Sequence, residues 1–68
     1  MRDPNRLYSF YNELGRIHRT YYMDLRFGQF MYSFFTWVSR EKNKDVFYIE
    51  EDEMLQYLKE YIGDKNGL

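Results

Sequence analysis

Residues 24–38 read DLRFGQFMYSFFTWV and hold the densest run of large apolar side chains, together with the only tryptophan. At the helical period, the large apolar residues share one arc of about 160°. This arc contains Phe27, Phe30, Met31, Phe34, Phe35, Trp37 and Val38. The opposite side carries Arg26, Gln29, Ser33, Thr36 and Arg40. The pattern predicts a helix over about 25–40 that forms a wall between an internal core and a partner.

The preceding segment predicts a helix over about 4–20. Asp3 suits the N-cap and Pro4 suits the first helical position, where its missing N–H costs nothing. The same spacing gives this helix one apolar face: Leu7, Phe10, Tyr11, Leu14, Ile17, His18 and Tyr21. A turn within residues 21–23 and an N-cap at Asp24 make the connection short. We therefore expect the first two helices to be antiparallel neighbours.

The last third of the chain predicts one more helix, over about 51–62, with Gly63 as its C-cap and 63–68 as a frayed tail. Residues 41–45 are charged and read as a linker. Residues 46–49 are β-branched and aromatic, which favours a short extended segment. Together these patterns predict an all-α fold: a single three-helix domain over residues 1–68.

The size and composition favour self-association. Domains of fewer than roughly 70–80 residues usually need a disulfide, a metal or a partner subunit for stability. The chain has no cysteine and one histidine, which leaves a partner subunit as the remaining possibility. Aromatic residues make up 22% of the chain, more than one small core requires. We therefore expect a homodimer.

Charge and hydropathy argue against two kinds of partner. The formal net charge is −1, which provides no general field for nucleic acid or an anionic membrane. The uncharged run from Phe27 to Ser39 is shorter than the roughly 20 residues that a membrane span needs. The first six residues are charged and lack the apolar core of a secretory signal. These features, with the absence of cysteine, predict a cytoplasmic protein.

No motif predicts catalysis, a metal or a cofactor. His18 falls on an apolar helix face, with neither a cysteine nor a recognisable serine nucleophile to activate. The acidic residues 50–53 lack the spacing of a calcium loop, and acids in the first turn of a helix interact favourably with its dipole. The four glycines are isolated, so no phosphate-binding loop is present. We therefore expect no enzymatic activity and no cofactor.

The surplus of aromatic residues predicts a protein interface, because Tyr, Trp and Arg are enriched at interface hot spots. The residues that we expect there are Tyr22, Arg26, Gln29, Tyr32, Phe35 and Trp37. The favoured function is a non-enzymatic, homodimeric protein-binding module. One alternative is a small-molecule or nucleotide pocket shared between subunits. Another is nucleic-acid binding through arginines, which include Arg6, Arg16, Arg19, Arg26 and Arg40.

Three pieces of the chain carry a resemblance: MRDPNR at 1–6, DLRFGQ at 24–29 and FYIEEDE at 47–53. This set resembles a family of short uncharacterised proteins from bacteria and their phages. The resemblance implies a small soluble protein and lends no activity. It also implies a role as a phage-type inhibitor of a host protein, a role that rests on analogy. The aromatic content of residues 27–38 and the tyrosines at 21–22 depart from the family's pattern.

Overall fold

The computed structural model describes residues 2–65 and contains three α-helices within that range. They are α1 (Arg6–Tyr21), α2 (Phe27–Lys42) and α3 (Glu51–Lys65), and a single 3-10 turn (Val46–Tyr48) joins the last two. No strand occurs in residues 2–65. The predicted all-α, three-helix fold is therefore confirmed, with boundaries that differ from the expected ones by a few residues.

The helix α1 begins two residues later than expected. The Oδ1 atom of Asp3 accepts a hydrogen bond from the backbone N–H of Asn5 at 2.9 Å. The N–H of Leu7 donates to the carbonyl oxygen of Pro4 at 3.1 Å. Pro4 and Asn5 therefore form a turn that leads into the helix, and Asp3 caps this turn.

The start of α2 is held by a glutamine. Asp24 was expected as its N-cap, but the extended residue before the helix is Arg26. The backbone N–H of Arg26 donates to the Oε1 atom of Gln29 at 2.7 Å, which satisfies a group that the helix leaves unpaired. The prediction of Asp24 was wrong because the side chain of Gln29 folds back and fixes the helix start two residues later.

The expected extended segment at 46–49 is a 3-10 turn, and only its flanking residues Asp45 and Ile49 have extended backbone. The Oδ1 atom of Asp45 accepts from the N–H of Phe47 at 2.9 Å, and the N–H of Ile49 donates to the carbonyl of Val46 at 3.2 Å. Residues three apart in such a turn lie on the same side. Val46 and Ile49 consequently pack against the core, while Phe47 and Tyr48 point outward.

The helix α3 runs through Gly63 to Lys65, so the expected C-cap at Gly63 was wrong. Of the predicted frayed tail 63–68, residues 66–68 lie outside the described residues. None of the helices in residues 2–65 combines the length and the apolar character that a membrane crossing needs.

The core forms where α3 packs against both α1 and α2. Its buried residues come from all three helices: Leu14, Ile17, Phe30, Phe34, Trp37, Val38, Tyr57, Leu58, Tyr61 and Ile62. The helices α1 and α2 approach each other closely at few backbone positions. At their connected ends, the Nε2–H of His18 donates to the carbonyl of Leu25 at 2.8 Å, and the His18 ring lies 4.9 Å from that of Phe30. Side chains span the rest of the gap, and this arrangement leaves a groove between the two helices.

Candidate binding surface

The acidic residues at the start of α3 are engaged in ion pairs. Glu50 pairs with Arg2, Glu51 pairs with Arg6 at 3.0 Å, and Glu53 pairs with Lys44. The hydrogen bond from Arg6 lowers the pKa of Glu51, and the bond from Lys44 is the main cause that lowers the pKa of Glu53. Within residues 2–65 no three His, Asp or Glu side chains are grouped as a metal site requires. The cluster connects α3 to the rest of the fold.

A second set of contacts fastens the end of α2 to α3. The Nζ atom of Lys42 pairs with Glu60 and lies 5.7 Å from the ring centroid of Trp37 and 5.4 Å from that of Tyr57. Lys44 lies 5.8 Å from the Tyr57 centroid. Both lysines therefore cover the Tyr57 ring, and their stems shield this side of the core from water.

Two of the predicted interface residues lie in the core. Trp37 is 5% exposed, and its indole N–H donates to the Oδ2 atom of Asp64 at 2.8 Å. Tyr22 is half-buried and stacks on Phe30 at 4.9 Å. Burial raises the pKa of Tyr22 to about 12, and its buried hydroxyl oxygen has no hydrogen-bond partner among residues 2–65. Neither Trp37 nor Tyr22 offers much surface to a partner.

The other predicted interface residues are accessible. Tyr32 is 75% exposed, and it lines a shallow depression on α2 with half-buried Phe35. Arg26 and Gln29 are exposed at the helix start, where the Gln29 side chain caps the backbone. The structure thus brings Tyr32 and Phe35 together, and it places Tyr22 and Trp37 among the residues that pack on α3.

Phe35 also lines the second feature of this surface, a cavity between α1 and α2 that we name the apolar groove. Its volume is about 170 Å³. All three helices contribute to its lining, which consists of Phe10, Tyr11, Leu14, Phe27, Met31, Phe34, Phe35, Met54 and Leu58. Tyr11 and Phe27 are each 61% exposed although they belong to the groove. The groove is therefore an opening into the core, bordered by accessible rings.

Phe27 is a groove residue that the sequence pattern placed on the apolar arc of α2 without deciding whether it faces the core or a partner. Its place on the apolar arc of α2 was correct, but this part of the arc faces the groove. The exposure of Phe27 could be suspected from its position in the first turn of α2, because no preceding turn of the same helix covers its side chain. Tyr11 lies on the apolar face of α1, as expected, and remains accessible because α1 and α2 approach each other closely at few backbone positions.

Three of the arginines considered for nucleic-acid binding form ion pairs with carboxylates. Arg6 pairs with Glu51, Arg16 forms two hydrogen bonds of 2.8 Å with Glu13, and Arg40 lies 3.5 Å from Glu41. Their charges are thus largely matched by neighbouring carboxylates. The part of the groove lining that residues 2–65 provide consists of apolar and aromatic side chains. The groove therefore suits apolar groups.

Comparison with known proteins adds no family to this description. No protein-family model matches the chain, and no match was found among curated proteins or among solved structures. Functional inference consequently rests on the geometry of the surface.

Proposed function

We propose that this chain is a non-enzymatic protein-binding module that receives an apolar side chain of its partner in the groove between α1 and α2. The observation that carries the proposal is an apolar cavity whose border is formed by exposed aromatic rings. Interface hot spots have this character, since an anchor residue fills a pocket from which water is excluded.

The exposed area of the border supports the proposal. Tyr11 and Phe27 in the groove lining are each 61% exposed, and Tyr32 beside Phe35 is 75% exposed. Exposed aromatic side chains that lie near one another often mark interaction sites. Phe35 connects the two parts of this surface because it lines both the groove and the depression beside Tyr32.

The size of the groove fits one anchor side chain. A cavity of about 150 Å³ lined by aliphatic and aromatic residues holds a benzene molecule. A groove of about 170 Å³ therefore has room for one aromatic or branched aliphatic side chain. Met31 and Met54 lie in the lining, and flexible methionines adapt to anchors of different shape. An amphipathic helix that presents such an anchor is the form of partner that a groove between two helices suits.

The experiment compares two tyrosines of the same helix. Helical peptides that carry Leu, Phe or Trp anchors are selected from a library for binding to the wild-type chain. Tyr11→Lys places a charge at the border of the groove, whereas Tyr8→Lys changes a tyrosine of similar exposure that does not line it. We expect Tyr11→Lys to weaken binding at least about tenfold, or 1.4 kcal/mol, and Tyr8→Lys to leave it unchanged. Equal binding to both variants would overturn the proposal.

The resemblance to short bacterial and phage proteins suggests how such a module acts. A small protein that covers an apolar anchor of a host protein blocks whatever that anchor normally contacts. We therefore propose inhibition of a host protein as the role of the module. This role rests on the sequence resemblance, and its partner is defined only by an exposed apolar anchor.

A second candidate function is binding of a small apolar molecule in the same groove. The mostly apolar lining favours an aromatic hydrocarbon or indole over the nucleotide considered from the sequence. A ligand that binds only the folded state raises the melting temperature. A thermal-shift series with benzene, indole and ATP tests this candidate: a rise with indole or benzene that disappears in Tyr11→Lys supports it. No shift with any of these compounds argues against it.

A further inference from the structure

A line of four residues runs along the accessible side of α2. Gly28, Tyr32, Phe35 and Ser39 follow one another at spacings of four, three and four residues. Residues at these spacings lie on the same side of a helix. Gly28, Tyr32 and Ser39 are exposed and Phe35 is half-buried. We name this line the α2 stripe; among the groove residues it contains only Phe35.

The α2 stripe has a symmetric order of side-chain sizes: small, large, large, small. Its midpoint lies between Ser33 and Phe34. In a twofold-symmetric dimer the same surface meets itself, so that residue i contacts j and j contacts i. A twofold axis through the midpoint places Gly28 opposite Ser39 of a second copy. It also gathers the rings of Tyr32 and Phe35 from both copies around the axis.

We propose that a second copy of this chain packs antiparallel along the α2 stripe and forms a homodimer with the register Gly28 opposite Ser39. The register follows from the order of residue sizes, because large rings at the centre interlock while small residues at both ends let the helices approach. Helices in contact lie about 8–10 Å apart, with the smaller distances where the facing side chains are small. The stripe and the groove share Phe35, and the other three residues of the stripe lie outside the groove lining.

The charge distribution fits a second copy better than a charged partner. No charged residue occurs from Phe27 to Ser39. Near a twofold axis a charged side chain meets its own copy, and like charges in close contact are unfavourable. Arg40 is the first charge beyond the stripe, and the proposed register puts it opposite Phe27 of the second copy, away from the other Arg40. Two copies of the α2 stripe can therefore pack together without bringing like charges into contact.

Gly28 supplies an independent argument. It lies in a helix with ordinary φ, and a Cβ built at this position meets no atom of the described part of the chain within 4 Å. Neither backbone conformation nor crowding inside the chain therefore requires glycine, which is a poor helix former. A glycine at this position would let a second helix approach closely, because no Cβ stands between the two backbones.

Cysteine cross-linking tests the register, since the native chain contains no cysteine. A disulfide requires Cα atoms within about 7 Å, which facing positions of the proposed dimer provide. We expect oxidised Gly28→Cys/Ser39→Cys to form a covalent dimer, because the disulfide holds the two copies together even though a Cβ at residue 28 weakens the non-covalent contact. Each single variant should remain uncross-linked, because the two copies of residue 28 are about 16 Å apart along the helices. Absence of the covalent dimer, or equally efficient cross-linking of a single variant, would overturn the proposed register.

Sedimentation equilibrium tests the dimer without introducing cysteine. We expect the wild-type chain to sediment as a dimer, and Tyr32→Lys to raise the dissociation constant at least about tenfold. Tyr8→Lys is the matched control, because Tyr8 is 72% exposed and lies on α1 outside the stripe. Unchanged helical circular dichroism shows that each variant is folded. A wild-type monomer at every concentration contradicts the dimer and leaves the peptide-binding experiment on Tyr11 unaffected.

Discussion

The indole N–H of Trp37 donates a hydrogen bond of 2.8 Å to the Oδ2 atom of Asp64 and thereby joins the middle of α2 to the last turns of α3. This bond satisfies the polar group of an otherwise buried ring. It also explains why Trp37 belongs to the core: α3 covers this side of α2 and leaves the side with Tyr32 and Phe35 accessible. The bond therefore helps to determine which side of α2 is available to a partner.

Removal of this acceptor should destabilise the fold. We expect Asp64→Ala to lower the free energy of unfolding by about 1–2 kcal/mol, because the indole N–H loses a charged partner. Asp64→Asn retains an acceptor and should retain part of this stability. Urea unfolding followed by the fluorescence of the only tryptophan measures both variants. Equal stability of Asp64→Ala and wild type would contradict the role of the bond.

The buried hydroxyl of Tyr22 should be a source of instability. Its oxygen has no hydrogen-bond partner among residues 2–65, and a buried unsatisfied group costs about 1–3 kcal/mol. Tyr22→Phe removes the hydroxyl and preserves the stacking on Phe30. We expect a gain of about 1 kcal/mol in the free energy of unfolding at neutral pH. A loss of stability in urea unfolding would show that the hydroxyl has a favourable contact.

The same tyrosine should make the fold sensitive to alkali. Burial raises the pKa of Tyr22 from 10.0 to about 12, so the unfolded chain releases this proton first as pH rises. The stability linked to Tyr22 is therefore present below pH 10 and is lost as pH rises towards 12. We expect Tyr22→Phe to show a smaller loss over this interval than wild type. Identical losses in the two proteins would indicate that other groups, such as Tyr61 and the lysines, determine the alkaline transition.

The ion pairs of α3 should make the fold sensitive to acid. The pKa values of Glu51 and Glu53 are lowered from 4.5, so the unfolded chain binds protons first as pH falls through this value. The linked stability is present above the ordinary pKa and decreases below it. We expect stability to fall as pH drops below 4.5, and to fall less in Glu51→Gln than in wild type. A larger fall in Glu51→Gln would contradict the pairing with Arg6.

The two helical glycines with open surroundings should respond differently to substitution. No neighbouring atom of residues 2–65 lies within 4 Å of a Cβ at Gly28 or at Gly63. Gly63→Ala should raise the free energy of unfolding by up to about 1 kcal/mol without affecting association. Gly28→Ala should favour the helix and at the same time weaken the proposed dimer. Thermal unfolding and sedimentation of both variants measure the two effects separately, and unchanged association in Gly28→Ala would contradict close approach at this position.

The helices and most of the core follow from apolar spacing in the sequence. Phe30, Phe34 and Val38 occupy the predicted arc of α2, and Leu14 and Ile17 occupy the predicted face of α1; all five are buried. The spacing identifies an apolar face because helix geometry is regular. Helix starts are harder to predict, since the Gln29 side chain fixes the start of α2 through a single hydrogen bond that competes with a cap at Asp24.

The candidate surface was predictable only in part, because an apolar arc does not reveal which of its margins another helix covers. The sequence predicted both Tyr32 and Trp37 as interface residues and gave no reason to prefer one of them. The docking of α3, through Tyr61 and Asp64, buries Trp37 and leaves Tyr32 exposed. The groove likewise depends on the few close backbone approaches between α1 and α2, which the short connection between them did not suggest.

The methionine methyl groups provide the most direct test of the proposed binding site. Met31 and Met54 line the groove, whereas Met23 is 75% exposed and lies outside its lining. In a chain labelled with ¹³C at the methionine methyls, a selected anchor peptide should shift the NMR signals of Met31 and Met54 and leave that of Met23 in place. A shift of Met23 with unchanged signals from Met31 and Met54 would contradict binding in the groove.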